Sequence, residues 1–226
     1  MKVVIPTKLQ ALYDRIDACE RCQAEGNALR HVLGGGKFHK PKFFFLFINP
    51  THKNRSSNAD YAGERRYPFV GVRHLYKGLA EGGFIDRALM ADIYERGWQV
   101  ADEHRIEESL RRHDVYISNF VKCAQPNPKN PKRSIMRADL PLLAEELSLV
   151  RPQYVVTFGL PPLELLTGNT HLMRDILRTA RISKYAPLIS IPLNGKRYEI
   201  LPCYYPFGHG NEPKAHKILT YIREHF

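Results

Sequence analysis

Three short apolar runs, each closed by turn-forming residues or an asparagine, set the pattern of the chain. The first, "FFFLFINPTHKN" (43–54), breaks off at Asn49-Pro50. The second, "DVYISNFVK" (114–122), reaches Asn119, and the third is "YVVTFGL" (154–160). Runs of this length bounded by turn residues read as buried strands with polar chemistry gathered at their carboxyl ends. Elsewhere the apolar spacing becomes helical. Leu9, Leu12 and Ile16 share one face of a helix over 7–18, and Val72, Leu75, Tyr76 and Leu79 one face of another over 72–81. "PLLAEELSLV" (141–150) predicts a helix starting with proline, and a last helix is expected after Pro213. "LISIPLNGKRYEILPCYYP" predicts two strands around Asn194-Gly195, a strong hairpin signal. Strands separated by helical segments imply an α/β architecture, with a mainly parallel sheet covered on both faces. There is no internal repeat and no dividing linker, so one domain over 1–226 is expected, long enough for a sizeable core.

Composition narrows the class. An apolar content of 43% argues against disorder. No stretch approaches the roughly 20 apolar residues that span a bilayer. The start, "MKVVIPTKLQ", lacks the apolar core of a secretory signal. The expectation is an intracellular, cytoplasmic protein, or one of the nucleoid or nucleus, with no membrane partner. A net charge of +11, with ten histidines outside that count, suits a polyanion such as nucleic acid, against the plainer alternative of a solubilising surface. The positive charges are spread as on a folded surface, with a local group, Lys129, Lys132 and Arg133, in a proline-rich loop at 124–133.

Four further stretches stand in a telling order: Cys19-x-x-Cys22, "PFVG" (68–71), "VYISNFVKC" (115–123) and "LPLLAEELSLVRPQYVVTFG" (140–159). Together they resemble the uracil-DNA glycosylase superfamily, most closely its iron–sulfur branch, family 4, over most of residues 15–225. The resemblance implies a central, mainly parallel four-stranded sheet of order 2-1-3-4 flanked by helices. It also implies a monomeric, monofunctional hydrolase that removes uracil, or another deaminated base, from DNA and leaves an abasic site. The first motif departs from family 4, where the loop reads Gly-Glu-Ala-Pro-Gly. Phe47-Ile48-Asn49-Pro50-Thr51 is instead similar to the Gly-Ile-Asn-Pro-Gly and Gly-Met-Asn-Pro-Gly of the mismatch-specific and single-strand-selective branches.

By that resemblance, Asn49 holds the attacking water. An amide cannot deprotonate water, but its carbonyl can accept a water proton and aim the oxygen. The alternative is that Asn49-Pro50 only turns the chain. His52 falls where another branch has the histidine of Asp-Pro-Tyr-His. Thr51 falls where that branch has a bulky residue excluding the thymine methyl, and Ile48, just before Asn49, is a candidate base-binding residue. Asn119 corresponds to the asparagine that reads the uracil edge, and Phe69 to the base-stacking aromatic. Alone, Asn119 reads as a turn residue and Phe69 as core. The family's last motif, His-Pro-Ser or His-Pro-Ala, is replaced by "YYPFGHGN", leaving Tyr205 or His209 to meet charge at uracil O2. Phe207 stands where the family has a DNA-wedging residue. Lys53, Arg55, Lys129, Lys132 and Arg133 are candidate phosphate contacts.

Cys19, Cys22 and Cys123 correspond to family ligands of a 4Fe-4S cluster. The position aligned with the fourth is Asp139, so Asp139, Cys203 or no residue is left as the fourth. Thiolates also suit zinc, and unliganded reduced thiols are the third option. Disulfides are not expected in an intracellular protein. Two other functions remain open: a glycosylase for hypoxanthine or mismatched thymine, suggested by Thr51 and Tyr205, and a non-catalytic DNA-binding or damage-sensing protein on the same scaffold.

Overall fold

The computed structural model describes residues 4–21, 29–68, 70, 73–126, 130–170, 187–206 and 212–226, with the backbone alone at 73 and 74. Helix α1 (Thr7–Asp17) leads into strands β1 (Gly35–Gly36) and β2 (Phe43–Phe47). Helices α2 (Arg73–Glu81), α3 (Arg87–Arg96) and α4 (Asp102–Arg112) precede β3 (Val115–Asn119). Then come α5 (Arg133–Val150), β4 (Tyr154–Phe158), α6 (Leu160–Thr167), the hairpin strands β5 (Ile189–Leu193) and β6 (Lys196–Cys203), and α7 (Glu212–His225).

The sheet order is β1-β3-β2-β4-β6-β5. Its inner four strands are parallel and, taken in chain order, run 2-1-3-4 as expected. Two antiparallel edge strands, β1 and β5, extend the expected four to six. β5 and β6 meet at Asn194-Gly195, both at positive φ, as a type I′ turn requires. β1 was read only as a glycine turn. Glycine is needed there, since a Cβ on Gly34 would fall 1.9 Å from the Tyr116 hydroxyl oxygen and one on Gly36 2.3 Å from the Val115 carbonyl.

All five residues of β2 are buried because helices cover both faces of the sheet. Phe43, Phe45 and Phe47 pack toward α2, α3, α4 and α7. Phe44 and Leu46 pack toward α1, α5 and α6. Among the described residues no helix is long and apolar enough to cross a membrane.

Helices α3, α4 and α6 were not expected, and one expected helix starts elsewhere. α5 starts at Arg133, eight residues before Pro141, which sits inside it. A proline there forfeits one backbone hydrogen bond, yet Met136, Leu143, Leu147 and Val150 form one continuous buried stripe across it. Packing of that stripe overrides the local break. Arg133 therefore belongs to a helix rather than a loop.

Candidate active site

Because β2, β3, β4 and β6 are parallel, their carboxyl ends meet along one edge of the sheet, where ligands of open α/β sheets bind. The loop leaving β2 is stitched to the segment leaving β3. Phe120 and Val121 donate their backbone N–H groups to Phe47 (2.7 Å) and Ile48 (2.9 Å), Gln125 to Pro50 (3.0 Å), and His52 to Gln125 (2.9 Å). Asn54 anchors the far end of the loop. Its buried amide accepts from the Ser56 N–H and donates to the Tyr67 carbonyl at 3.3 Å. Carboxylates on α4 then fix the stretch before Pro68. Glu103 accepts from the Tyr61 hydroxyl and the Arg65 N–H, and Glu107 pairs with Arg65 at 3.1 Å. Burial pushes the Glu107 carboxyl up, with Arg65 opposing.

Asn119 lies at the mouth of this edge. It is fully buried, and among the described residues neither its amide nitrogen nor its amide oxygen has a partner. A buried amide left wholly unpaired is rare in folded proteins and costs stability, so such a group calls for an explanation. The register pairs Asn119 with Phe47, which puts both side chains on the same sheet face. On that face Phe47 stacks on Phe158 at 4.1 Å between ring centroids, and Tyr205 meets Phe47 edge-on at 6.3 Å. Gly159 borders this wall beside Ile48 and Tyr205, and its φ of 84° is what favours glycine there. Burial pushes the Tyr205 hydroxyl up, which keeps it a protonated donor at neutral pH. Asn49, half-buried, donates its amide nitrogen to the Pro50 carbonyl at 2.9 Å. That bond orients the side chain, and among the described residues no donor is bonded to its oxygen.

The model of the uracil DNA glycosylase superfamily matches residues 33–220. The chain belongs to the uracil DNA glycosylase superfamily. A type-4 uracil-DNA glycosylase of Saccharolobus solfataricus is 24% identical over 93% of this chain and 81% of its own. One of Archaeoglobus fulgidus is 23% identical over 88% and 81%. One of Pyrobaculum aerophilum is 32% identical over 49% of this chain, an alignment spanning about half of that relative, 54%.

Within this glycosylase scaffold, the structure brings Ile48, Asn49, Asn119 and Tyr205 to the strand ends. Thr51 is half-buried and its hydroxyl accepts the Lys53 N–H at 3.3 Å. His52 is exposed on the loop, with only its backbone tied down. Lys53, Arg55 and Lys132 are exposed as well, while Arg133, also exposed, is engaged by Glu164. Phe69, His209, Phe207, Lys129 and Cys22 lie outside the described residues.

The other face of β3 holds a network that the sequence reading missed. The Lys122 ammonium donates to the Asn119 carbonyl (2.7 Å), to Ser118 and to Glu146, the last at 2.5 Å. Tyr116 donates to the same carboxylate at 2.6 Å, and Tyr13 bonds Tyr116. Lys122 and Glu146 are both buried. The available signal was Glu146 itself, a charge in phase with Leu143 and Val150 on the apolar stripe of α5.

The cysteines separate into two places. Cys203 is excluded as a partner of Cys123. It ends β6 on the face packed by α7, its thiol 3.9 Å from the Ala215 carbonyl, with β2 and β4 between it and β3. Burial pushes that thiol up, keeping it protonated. Cys19 is also free, but Cys123 is disulfide-bonded, contrary to the expectation of reduced thiols. Asp139 stands near Cys19, joined to it by Arg21, which donates to the Cys19 sulfur at 3.2 Å and to the Asp139 carboxylate at 2.6 Å. Burial raises the Asp139 carboxyl, and Arg21 opposes the rise. Among the described residues no three His, Cys, Asp or Glu side chains close into a metal site. Nearby, His31 is buried and, among the described residues, its Nε2 has no partner.

Proposed function

We propose that this chain is a DNA repair enzyme, a monofunctional uracil-DNA glycosylase acting as one domain and as a monomer on DNA inside the cell. The observation that carries the reading is the Asn119 amide at the strand ends, unpaired among the described residues, set beside an Asn49 whose oxygen has no bonded donor among them. A base inside a duplex is out of reach, so the target nucleotide must leave the stack and enter this pocket. Uracil offers an acceptor, O4, next to a donor, N3–H. The Asn119 amide supplies the complementary donor and acceptor, and the neighbouring aromatic rings keep the pocket dry. Water held by the Asn49 oxygen attacks the sugar carbon as its bond to the base nitrogen breaks. The bond's electron pair leaves with the base, and the water's proton is passed on to neutralise it. Charge developing at O2 meets the protonated Tyr205 hydroxyl, a preorganised donor in a water-poor site.

An iron–sulfur cluster on Cys19, Cys22 and Cys123 belongs to the same reading. When bound it would tie the end of α1 to the segment after β3 and supply structure, with no step passing through it. Lys53, Arg55 and Lys132 supply phosphate contacts. Substituting each by alanine is expected to lower the slope of log affinity against log salt by about 1, with little change in base choice. Binding titrations from low to moderate salt measure that slope.

Abasic-site formation on labelled oligonucleotides carrying uracil, hypoxanthine or a mismatched thymine tests the base assignment. Release of uracil far ahead of the others is the expected result. Preferential release of hypoxanthine or thymine would instead trace to the small Thr51 and the Tyr205 replacement. Binding without any release would make the chain a damage-sensing protein.

A further inference from the structure

The amino ends of the parallel strands form the edge of the sheet opposite the candidate active site, separated from it by the five residues of β2, roughly 15 Å. Among the described residues, four that are not glycine hold a left-handed φ: Lys40 (48°), Asp114 (60°), Arg151 (59°) and Asn194 (47°). Each stands shortly ahead of a parallel strand. Asn194 belongs to the hairpin turn, where that conformation is ordinary, and Asp114 pairs with Lys37. Lys40 and Arg151 have no such reason. Arg151 closes α5, where glycine is the usual residue, and the Lys40 N–H donates to the adjoining Val150 carbonyl at 2.8 Å. Holding a long side chain in this region costs conformational energy that glycine avoids, and such outliers gather at functional sites.

Backbone bonds bring further cations to the same place. Gln153 donates to the Pro41 carbonyl (3.0 Å) and Tyr154 to the Lys42 carbonyl (2.9 Å), which sets Lys40 and Lys42 alongside Arg151. Lys196 and Arg197 open β6, the neighbour of β4, and the Lys196 ammonium reaches the Ser148 carbonyl of α5 at 3.3 Å. Lys40, Arg151, Lys196 and Arg197 are exposed, and Lys42 lies half-buried over the Phe43 ring. Among the described residues none of these cations is in an ion pair, whereas on the β3 side Lys37, Arg111, Arg112 and His113 all face a carboxylate. Glu199, just beyond Arg197, accepts instead from the Ser190 hydroxyl at 2.8 Å. The negative end of α5 attracts cations, which explains Lys196 at Ser148 but not a row of charges along the starts of β2, β4 and β6.

This chemistry suits phosphates better than a protein surface. Protein interfaces are depleted of lysine and centre on apolar or aromatic anchors, and the apolar neighbours Pro41, Phe43 and Tyr198 are already buried. Phosphate contact needs only exposed cations. DNA engaged at the carboxyl edge lies on the far side of the sheet from this row. We propose that Lys40, Lys42, Arg151, Lys196 and Arg197 form a second DNA-binding surface, which holds a separate duplex segment while the first is engaged at the strand ends. The proposal rests on the reading above that the carboxyl edge takes DNA.

The test is capture of a labelled duplex by the full chain bound to an immobilised one at low salt, with the stoichiometry read in solution by analytical ultracentrifugation. The wild type is expected to form a complex of one chain with two duplexes. Lys40→Gly, Arg151→Gly and Arg197→Ala combined should lower capture about tenfold or more, while uracil release from a short oligonucleotide stays within about two-fold of the wild type, since no phosphate contact at the strand ends is removed. The melting temperature of that variant should hold, because glycine takes left-handed φ freely. Arg197→Glu, at a position without such a φ, should lower capture independently. Capture unchanged in both variants, or found only in complexes of two chains, would overturn the proposal. Polyglutamate bound by the wild type and lost in the variants, with no second duplex captured, would assign this edge to an acidic protein and overturn it as well. One-duplex binding with uracil release but no second duplex would sink this proposal alone, whereas failure to bind any duplex would take the reading of the strand ends with it.

Discussion

Asn119→Ala should fold at least as stably as the parent chain and release uracil on the order of 10³-fold more slowly. The two expectations come from one observation. In the free protein the Asn119 amide is buried with neither end paired among the described residues, a state that costs roughly 1–3 kcal/mol for each unsatisfied group. Truncation removes that penalty in exchange for a small cavity, so the melting temperature should hold or rise. With uracil in the pocket the same amide becomes the complement of its O4 and N3–H edge. Sites built to hydrogen-bond a substrate lose far more on deletion than apolar contacts do. Thermal unfolding and single-turnover release, measured on the same preparation, check the pair. A variant losing stability and activity together would mean that Asn119 is an ordinary core residue whose partners lie elsewhere.

Lys122→Met is expected to act in the opposite sense, mainly on stability. It removes the cation from a buried pair and leaves Glu146 charged, with only the Tyr116 and Ser118 hydroxyls to hold it. Breaking a buried pair from one side costs about 3–5 kcal/mol, which for a chain of this size is a fall of roughly 6–20 °C in melting temperature. The double variant Lys122→Met, Glu146→Leu should recover most of that loss, because a well-packed apolar replacement of a buried pair is often neutral. Differential scanning calorimetry of the three variants reads the difference. Lys122 also donates to the Asn119 carbonyl at 2.7 Å, so the double variant is expected to keep its stability yet read uracil less well.

Much of this architecture was legible before any coordinates. Phe43–Phe47 announces a strand buried on both faces, and its parallel neighbours follow from the helices between the runs. Asn194-Gly195 announces its hairpin. The start of α5 was not legible, because Pro141 looks like a helix beginning when read locally; only the stripe through Met136 shows that packing carries the helix across it. α3 and α4 were missed for a related reason. α4 buries Asp102, Glu103 and Glu107 along with Ile106 and Leu110, so its inner face does not read as apolar. At the candidate site, Asn49 and Asn119 were singled out only through the family resemblance, since by position alone an asparagine at a strand end reads as a turn residue. That His52 is exposed, and that Cys203 lies on the opposite sheet face from Cys123, depends on how the strands are ordered in space. Local sequence does not carry that information.

The most direct test of the account is the single-turnover rate of uracil release by the wild type and by Asn49→Ala, with binding to the same oligonucleotide measured in parallel. The account predicts release by the wild type, a fall of about 10²–10³-fold in the variant, and binding unchanged within a few-fold. Equal release rates in the two proteins, or tight binding with no release by either, would contradict it.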